Sequence, residues 1–217
     1  MREGRAPRHN AVVNELNPIQ TDVLREVTNV GAGHAATALA QLAGVKILID
    51  VPQIWSAPFE DIVERTVGAP EENVAAVSMR VLGDLAGHIM FVMRKDSASA
   101  LLDILLRRAP GSGGITGAME RSGLQETGNI LASSFLNALA RWMGKILLPS
   151  VPTVTIDRRD TVVQQVWHGD KSAVLAAETA FTLAKPEGEG LRLSGILVFM
   201  LDEPSLTAIL SALRVGR

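Results

Sequence analysis

The chain has 217 residues, 47% hydrophobic and 20% charged, with a formal net charge of -2, four His and no Cys. That balance describes a folded globular protein and excludes a disulfide framework, a thiolate zinc site and a nucleic-acid binder that works by neutralising phosphates. A reducing cytoplasm is the expected compartment, and apolar runs such as "GILVFML" at 195–201 are too short to cross a bilayer.

Residues 1–15 carry arginines but no apolar h-region, so they read as a flexible tail and not as a signal peptide. Asn17-Pro18 then supplies an N-cap and a first-turn proline, and Leu24, Val27, Ala35, Ala38 and Leu42 follow on one face at helical spacing. Inside this helix lies "TNVGAGHAATALA" (28–40), whose Gly31-Ala32-Gly33-His34-Ala35-Ala36 fits the G-x-G-x-x-[G/A] phosphate-cradling pattern, with Asp50 further on. A dinucleotide loop has to follow a buried strand. The stretch before it carries Asp22, Arg25 and Glu26, which a central strand would not tolerate. The glycines therefore belong to a helix. Next come a short strand ending in Val51-Pro52, strands over "NVAAVSMRVLG" (73–83) and "GHIMFVM" (87–93), a closing helix over "SASALLDILLR", and the Gly-rich connector "RRAPGSGGITG" (107–117).

The chain then repeats itself. Shifted by 100, residues 22–52 fall on 122–152 without a gap and 11 of 31 positions are identical, where chance gives roughly two or three. The second half reads as a long helix with Leu124, Leu131, Phe135, Ala138 and Trp142 inward, and a short strand ending in Val151-Pro152. Strands over "TVVQQVWHG" (161–169) and "GILVFML", the latter aligned with "GHIMFVM", and a closing helix over "PSLTAILSALR" complete it. The expected organisation is a tail (1–15) and one domain (16–217) made of repeats 16–108 and 116–217. One chain holding both halves is expected to work as a monomer.

Opposite the core faces, Asp22, Glu26, Asn29 and Gly33 share a narrow band, and Ser122, Glu126, Asn129 and Ser133 occupy the same band of the second helix. Ala36 and Ala40, and Leu136 and Ala140, continue the two stripes and would let a partner approach closely. Solvent faces drift freely, so a Glu and an Asn recurring in register point to a function. One Glu–Asn pair is a poor metal site. The histidines (His9, His34, His88, His168) show no ligand spacing, and "GDKS" (169–172) lacks a P-loop glycine frame. His34 reads as a neutral surface residue. An Asn carboxamide can hold a water in line with an electrophile, and a Glu can grip a cationic side chain. Such a pair suits hydrolysis of an acyl phosphate whose charge is already stabilised elsewhere.

With "DVLREVTNVGAGHAATAL" and "SGLQETGNILASSFLNAL" each followed by a strand ending in Val-Pro, the chain resembles the CheC group of chemotaxis phosphatases (the CheC/CheX/FliY family) from about Asn17 to Leu213. The resemblance implies an α/β fold with pseudo-two-fold symmetry, a mainly antiparallel sheet and two long motif helices packed on it. It implies removal of phosphate from the aspartyl-phosphate of a CheY-like response regulator. Glu26 and Glu126 would engage the regulator's lysine, and Asn29 and Asn129 would orient the attacking water. Asp22, Ser122, Gly33 and Ser133 would contact the partner or support the helix. The regulator would carry the Mg2+ and this protein no cofactor of its own; the receptor deamidase CheD is a further implied partner. At Thr28 and His34 the first site departs from the family pattern, to which "ETGN" is closer. The absence of a long C-terminal extension speaks against the flagellar-switch member with an added motor domain. A non-catalytic adaptor for a regulator or CheD is the alternative reading.

Overall fold

In the computed structural model, residues 16–67, 69–166, 173–183 and 190–215 are described; the expected tail, His9 and His168 lie outside them. Asn17 Oδ1 accepts from the Gln20 N–H at 2.9 Å and Gln20 Oε1 accepts from the Asn17 N–H at 3.0 Å. This reciprocal cap, with Pro18 in the first turn, starts helix α1 (Pro18–Ala43). The helix runs unbroken through Gly31 and Gly33 and stops at Gly44, whose φ of 72° is a left-handed cap. The dinucleotide-like pattern is therefore mid-helix, as its charges require. Strands β1 (Ile47–Asp50) and β2 (Ile54–Pro58), helix α2 (Phe59–Val67), strands β3 (Asn73–Gly83) and β4 (Gly87–Arg94) and helix α3 (Lys95–Leu105) complete the first half. The second half repeats the order: α4 (Ala118–Met143), β5 (Leu147–Pro149), β6 (Thr153–Arg158), α5 (Arg159–Val166), β7 (Ala173–Leu183), β8 (Leu191–Leu201) and α6 (Glu203–Val215).

All eight strands form one sheet in the order β1-β7-β8-β4-β3-β5, with β2 also on β7 and β6 also on β3. Every pairing among the described residues is antiparallel. The two repeats exchange their outer strands. β1 and β2 pair with β7 of the other half, and β5 and β6 pair with β3. The register obeys the 100-residue shift: Ile54 faces Ala177 as Val154 faces Val77, and Ile47 faces Leu183 as Leu147 faces Gly83.

Both faces of the central strands are buried. Ile89, Phe91 and Met93 of β4 point into the core under α1, α3, α4 and α6, whereas Met90 and Val92 point into a second core with Ile62, Val63 and Val162 of α2 and α5. That burial explains why β4 and β8 read as continuous apolar runs. It also explains a correction to the repeat alignment. Ala75 faces Met93 and its equivalent Leu175 faces Phe199, so β8 matches β4 two residues earlier than the pairing of "GHIMFVM" with "GILVFML" places it. A slip of two keeps every side chain on its face, and a run apolar on both faces does not resist it.

Two further expectations fail. The short strands stop at Asp50 and Pro149, before Val51-Pro52 and Val151-Pro152. The stretch 161–166 is the end of helix α5 and not a strand: its β-branched residues suggest an extended chain, but Val162 is buried as the inner face of a short helix. The strand that the second half needs is instead Ala173–Leu183. The helix α2 also went unread.

α1 and α4 lie side by side on the sheet. A Cβ added at Gly31 would come within 2.9 Å of Phe135 Cα, and the symmetry-equivalent positions, Ala35 and Leu131, are fully buried. Gly128 sits against Val77 of β3, with no room for a Cβ. The equivalent positions in the other half are Thr28, 7% exposed, and Ala177, 1% exposed. A small helix residue over a large strand residue thus becomes the reverse. Gly128→Thr is expected to cost about 1–3 kcal/mol through overpacking, and Val77→Ala in the same chain to recover part of it; chemical denaturation of the two variants checks this. Because the outer strands are exchanged, neither half has a complete sheet. Separately produced 16–108 and 116–217 are expected to lack cooperative unfolding, and mixing them to restore it, as followed by calorimetry.

Candidate functional site

The two motif helices are held at both ends. At its start α4 is tied to the connector: the Gly117 N–H donates to Glu120 Oε2 at 2.8 Å, and Arg108 Nη1 lies 2.6 Å from Glu120 Oε1. The connector is folded back by Asp103, buried in α3, whose Oδ2 accepts from the Gly111 N–H at 2.8 Å. The Arg108 guanidinium holds the Glu120 carboxyl below the usual glutamate range, helped by the backbone N–H groups of the first turn. At the far end Gly144 caps α4 as Gly44 caps α1, each donating its N–H to the carbonyl four residues back.

With Leu24, Val27, Ala32, Ala35 and Leu39 turned into the core, the opposite side of α1 presents Asp22, Glu26, Asn29 and Gly33, all exposed. On α4 the inward set is Leu124, Leu131, Ala132, Phe135 and Leu139; Ser122 and Glu126 are exposed, and Asn129 and Ser133 half-buried. Both stripes thus face outward as the sequence places them. Asp22 Oδ1 meets Arg25 Nη1 at 3.3 Å, a surface pair that contributes little. No hydrogen bond or ion pair to a described residue engages the side chains of Glu26, Asn29 or Glu126, whereas Ser133 Oγ donates to Asn129 Oδ1 at 3.5 Å. Free carboxylates and amides on a fixed face are available to a partner and are not part of an internal network. No group of three His, Asp or Glu side chains that could hold a metal occurs among the described residues. None of their helices is long and apolar enough to cross a membrane.

The small-residue continuation of the stripes does not hold. Ala36, Leu136 and Ala140 are buried and Ala40 is half-buried, because a stripe with a seven-residue repeat drifts by about 20° per repeat around a helix with 3.6 residues per turn. Leu42, assigned inward, is 43% exposed; Leu39 and Ala43 take the core side there. His34 is exposed, as expected. Thr28 is buried, its hydroxyl donating to the carbonyls of Leu24 and Arg25, so this side chain serves packing.

Two features escaped the sequence reading. Ile19 and Met119, equivalent positions one turn before Asp22 and Ser122, are 67% and 63% exposed. Their lack of identity hid them, although their shared apolar character was visible. An open cleft of about 630 Å³ also runs from Gly33 between α1 and β1, lined by Thr37, Gln41, Lys46 and Asp50 among others. No sequence signal marks it, because it arises from the packing of helix against strand. Gln125 Nε2 donates to Pro152 O at 3.3 Å, which links the second motif to the Val-Pro turn.

The model of the CheC-like family matches residues 19–56 and 119–156, the two segments that hold the motif helices and the Val-Pro turns. The CheY-P phosphatase CheC of Bacillus subtilis (strain 168) is 38% identical over 157 residues, 71% of this chain and 75% of that protein. The flagellar motor switch phosphatase FliY of the same organism is 23% identical over 145 residues, 66% of this chain and 37% of FliY. The X-ray structure of Thermotoga maritima FliY shares the fold, with a TM-score of 0.75 at 18% identity over 93% of this chain and 99% of that one.

The Arg108–Glu120 pair yields a pH test of how α4 is held. A carboxyl whose folded pKa is depressed favours folding fully above the ordinary glutamate range, and that contribution disappears as pH falls through the lower folded value. Glu120→Gln is expected to lower Tm at neutral pH and to flatten its decline on acidification. Parallel Tm–pH curves for parent and variant would contradict this.

Proposed function

The chain belongs to the CheC-like family, and from that premise we propose that it is a hydrolase that removes phosphate from the aspartyl-phosphate of a CheY-like response regulator. The observation that carries this reading is the pair of solvent-facing Glu–Asn sets, Glu26 with Asn29 and Glu126 with Asn129, at equivalent places on two helices held by one scaffold. A carboxylate repels a phosphoryl anion and an amide is a poor nucleophile, so we assign this pair neither the binding of the phosphoryl group nor the attack on it. They act by placing what a partner brings.

The Asn carboxamide holds a water opposite the leaving oxygen. The water oxygen forms a bond to phosphorus and the P–O bond to the aspartate breaks, its electron pair leaving with the carboxylate. Both protons of the water end on the inorganic phosphate released, and the carboxylate leaves ionised. Glu26 or Glu126 pairs with the regulator's active-site lysine and fixes the docking geometry. The divalent cation belongs to the regulator and neutralises the phosphoryl oxygens there. The protein acts as a monomer without a cofactor, and CheD is a second partner.

Phosphate release from a CheY-type receiver charged with acetyl phosphate tests this. Asn29→Ala and Asn129→Ala are each expected to slow release, and the double variant to fall about 10²-fold, toward the receiver's own rate. A double variant as fast as the parent would overturn the reading. The adaptor reading draws support from the absence, on either stripe, of a group that could complete catalysis by itself. Binding of the charged receiver without faster release would establish it. Co-elution with CheD tests the second partner.

A further inference from the structure

The two sites differ at one position that bears directly on the amide, residue 133 against residue 33. Resting on the phosphatase reading, we propose that Ser133 is a positioning residue for Asn129, and that Gly33 in its place leaves Asn29 unpositioned and the first site slower. On a helix the side chain at i+4 leans back over residue i. Ser133 Oγ accordingly lies 3.5 Å from Asn129 Oδ1. The threonine hydroxyls of these helices behave differently: Thr21, Thr28, Thr37 and Thr127 each donate to the carbonyl four residues back. Ser133 instead reaches the side chain.

A carboxamide rotates easily about its last bond and presents either its oxygen or its NH₂ group to a given direction. A hydroxyl donor beside Oδ1 selects one of these orientations. It takes one lone pair of the oxygen and leaves the other, and the NH₂ group, for the water and the phosphoryl group. The contact is long in the free protein, as such contacts often are before the reacting partner is bound. Asn129 and Ser133 are both half-buried, which reduces competition from bulk water, whereas Asn29 is exposed and no described side chain holds its amide. A Cβ built at Gly33 meets nothing within 4 Å, so a serine fits there without displacing a neighbour.

The test isolates each site in the full chain and measures release from a CheY-type receiver charged with acetyl phosphate. In the Asn29→Ala background, Ser133→Ala is expected to lower kcat about threefold to tenfold, the worth of one neutral hydrogen bond. KM should be unchanged, and Ser133→Thr should keep the activity. In the Asn129→Ala background, Gly33→Ser is expected to raise kcat by a similar factor. An unchanged kcat for Ser133→Ala, an equal loss for Ser133→Thr, or no gain from Gly33→Ser would each overturn the inference. The double Asn variant separates the two levels. If it retains the parent rate, the water-positioning role of both amides fails; if it is inactive while Ser133→Ala is silent, only the role of Ser133 fails.

Discussion

Gly31 lies so close to the Phe135 backbone that no side chain fits between the two long helices at that point. This contact and the seat of Gly128 on Val77 fix how far each helix is rotated about its axis. At 100° per residue, a helix that turns Leu24, Val27 and Leu39 inward must turn Glu26 and Asn29 outward. The outward face of α4 follows likewise from Leu124, Leu131 and Phe135. The polar stripes are thus a consequence of packing beneath them. Strand exchange between the repeats adds a second constraint: the sheet under each helix is complete only when both halves are folded.

Duplication lets the two sites diverge while the scaffold stays the same. At positions 28 and 128, and again at 77 and 177, large and small residues are traded without moving the register of the strands. On the outer face Glu and Asn are kept at both sites, and the residue beside the amide differs. That division separates what the fold requires from what the chemistry requires. A surface pair whose side chains are free but for the Ser133–Asn129 contact suits a protein whose reaction is completed by another molecule. The structural demand on this chain is then only that an amide and a carboxylate stand at the right height on a rigid helix.

The repeat, the long helices and the stripes were legible because they rest on signals that packing cannot hide: a cap at Asn17-Pro18, apolar spacing from Leu24, and identity at a constant offset. What was not legible had weak or misleading local chemistry. The Gly31/Gly33 pattern imitates a nucleotide loop, and only the charges before it betray a helix. "TVVQQV" is β-branched yet helical, and "AVLAAETAFTL" is alanine-rich yet a strand, because burial on both faces of the sheet overrides propensity there. The two-residue misplacement of β8 has the same cause. The contact from Ser133 to Asn129 depends on a side-chain orientation and lies beyond any reading of residue types.

The central claim is that these two outward faces, and no other part of the fold, meet the regulator. Backbone amide shifts of the isotope-labelled protein, followed during titration with a beryllofluoride-activated CheY-type receiver, test it most directly. The account predicts perturbations concentrated in residues 22–33 and 122–133, with α2 and α5 on the opposite face of the sheet unchanged. Perturbations centred on α2 and α5, with the motif helices silent, would contradict it.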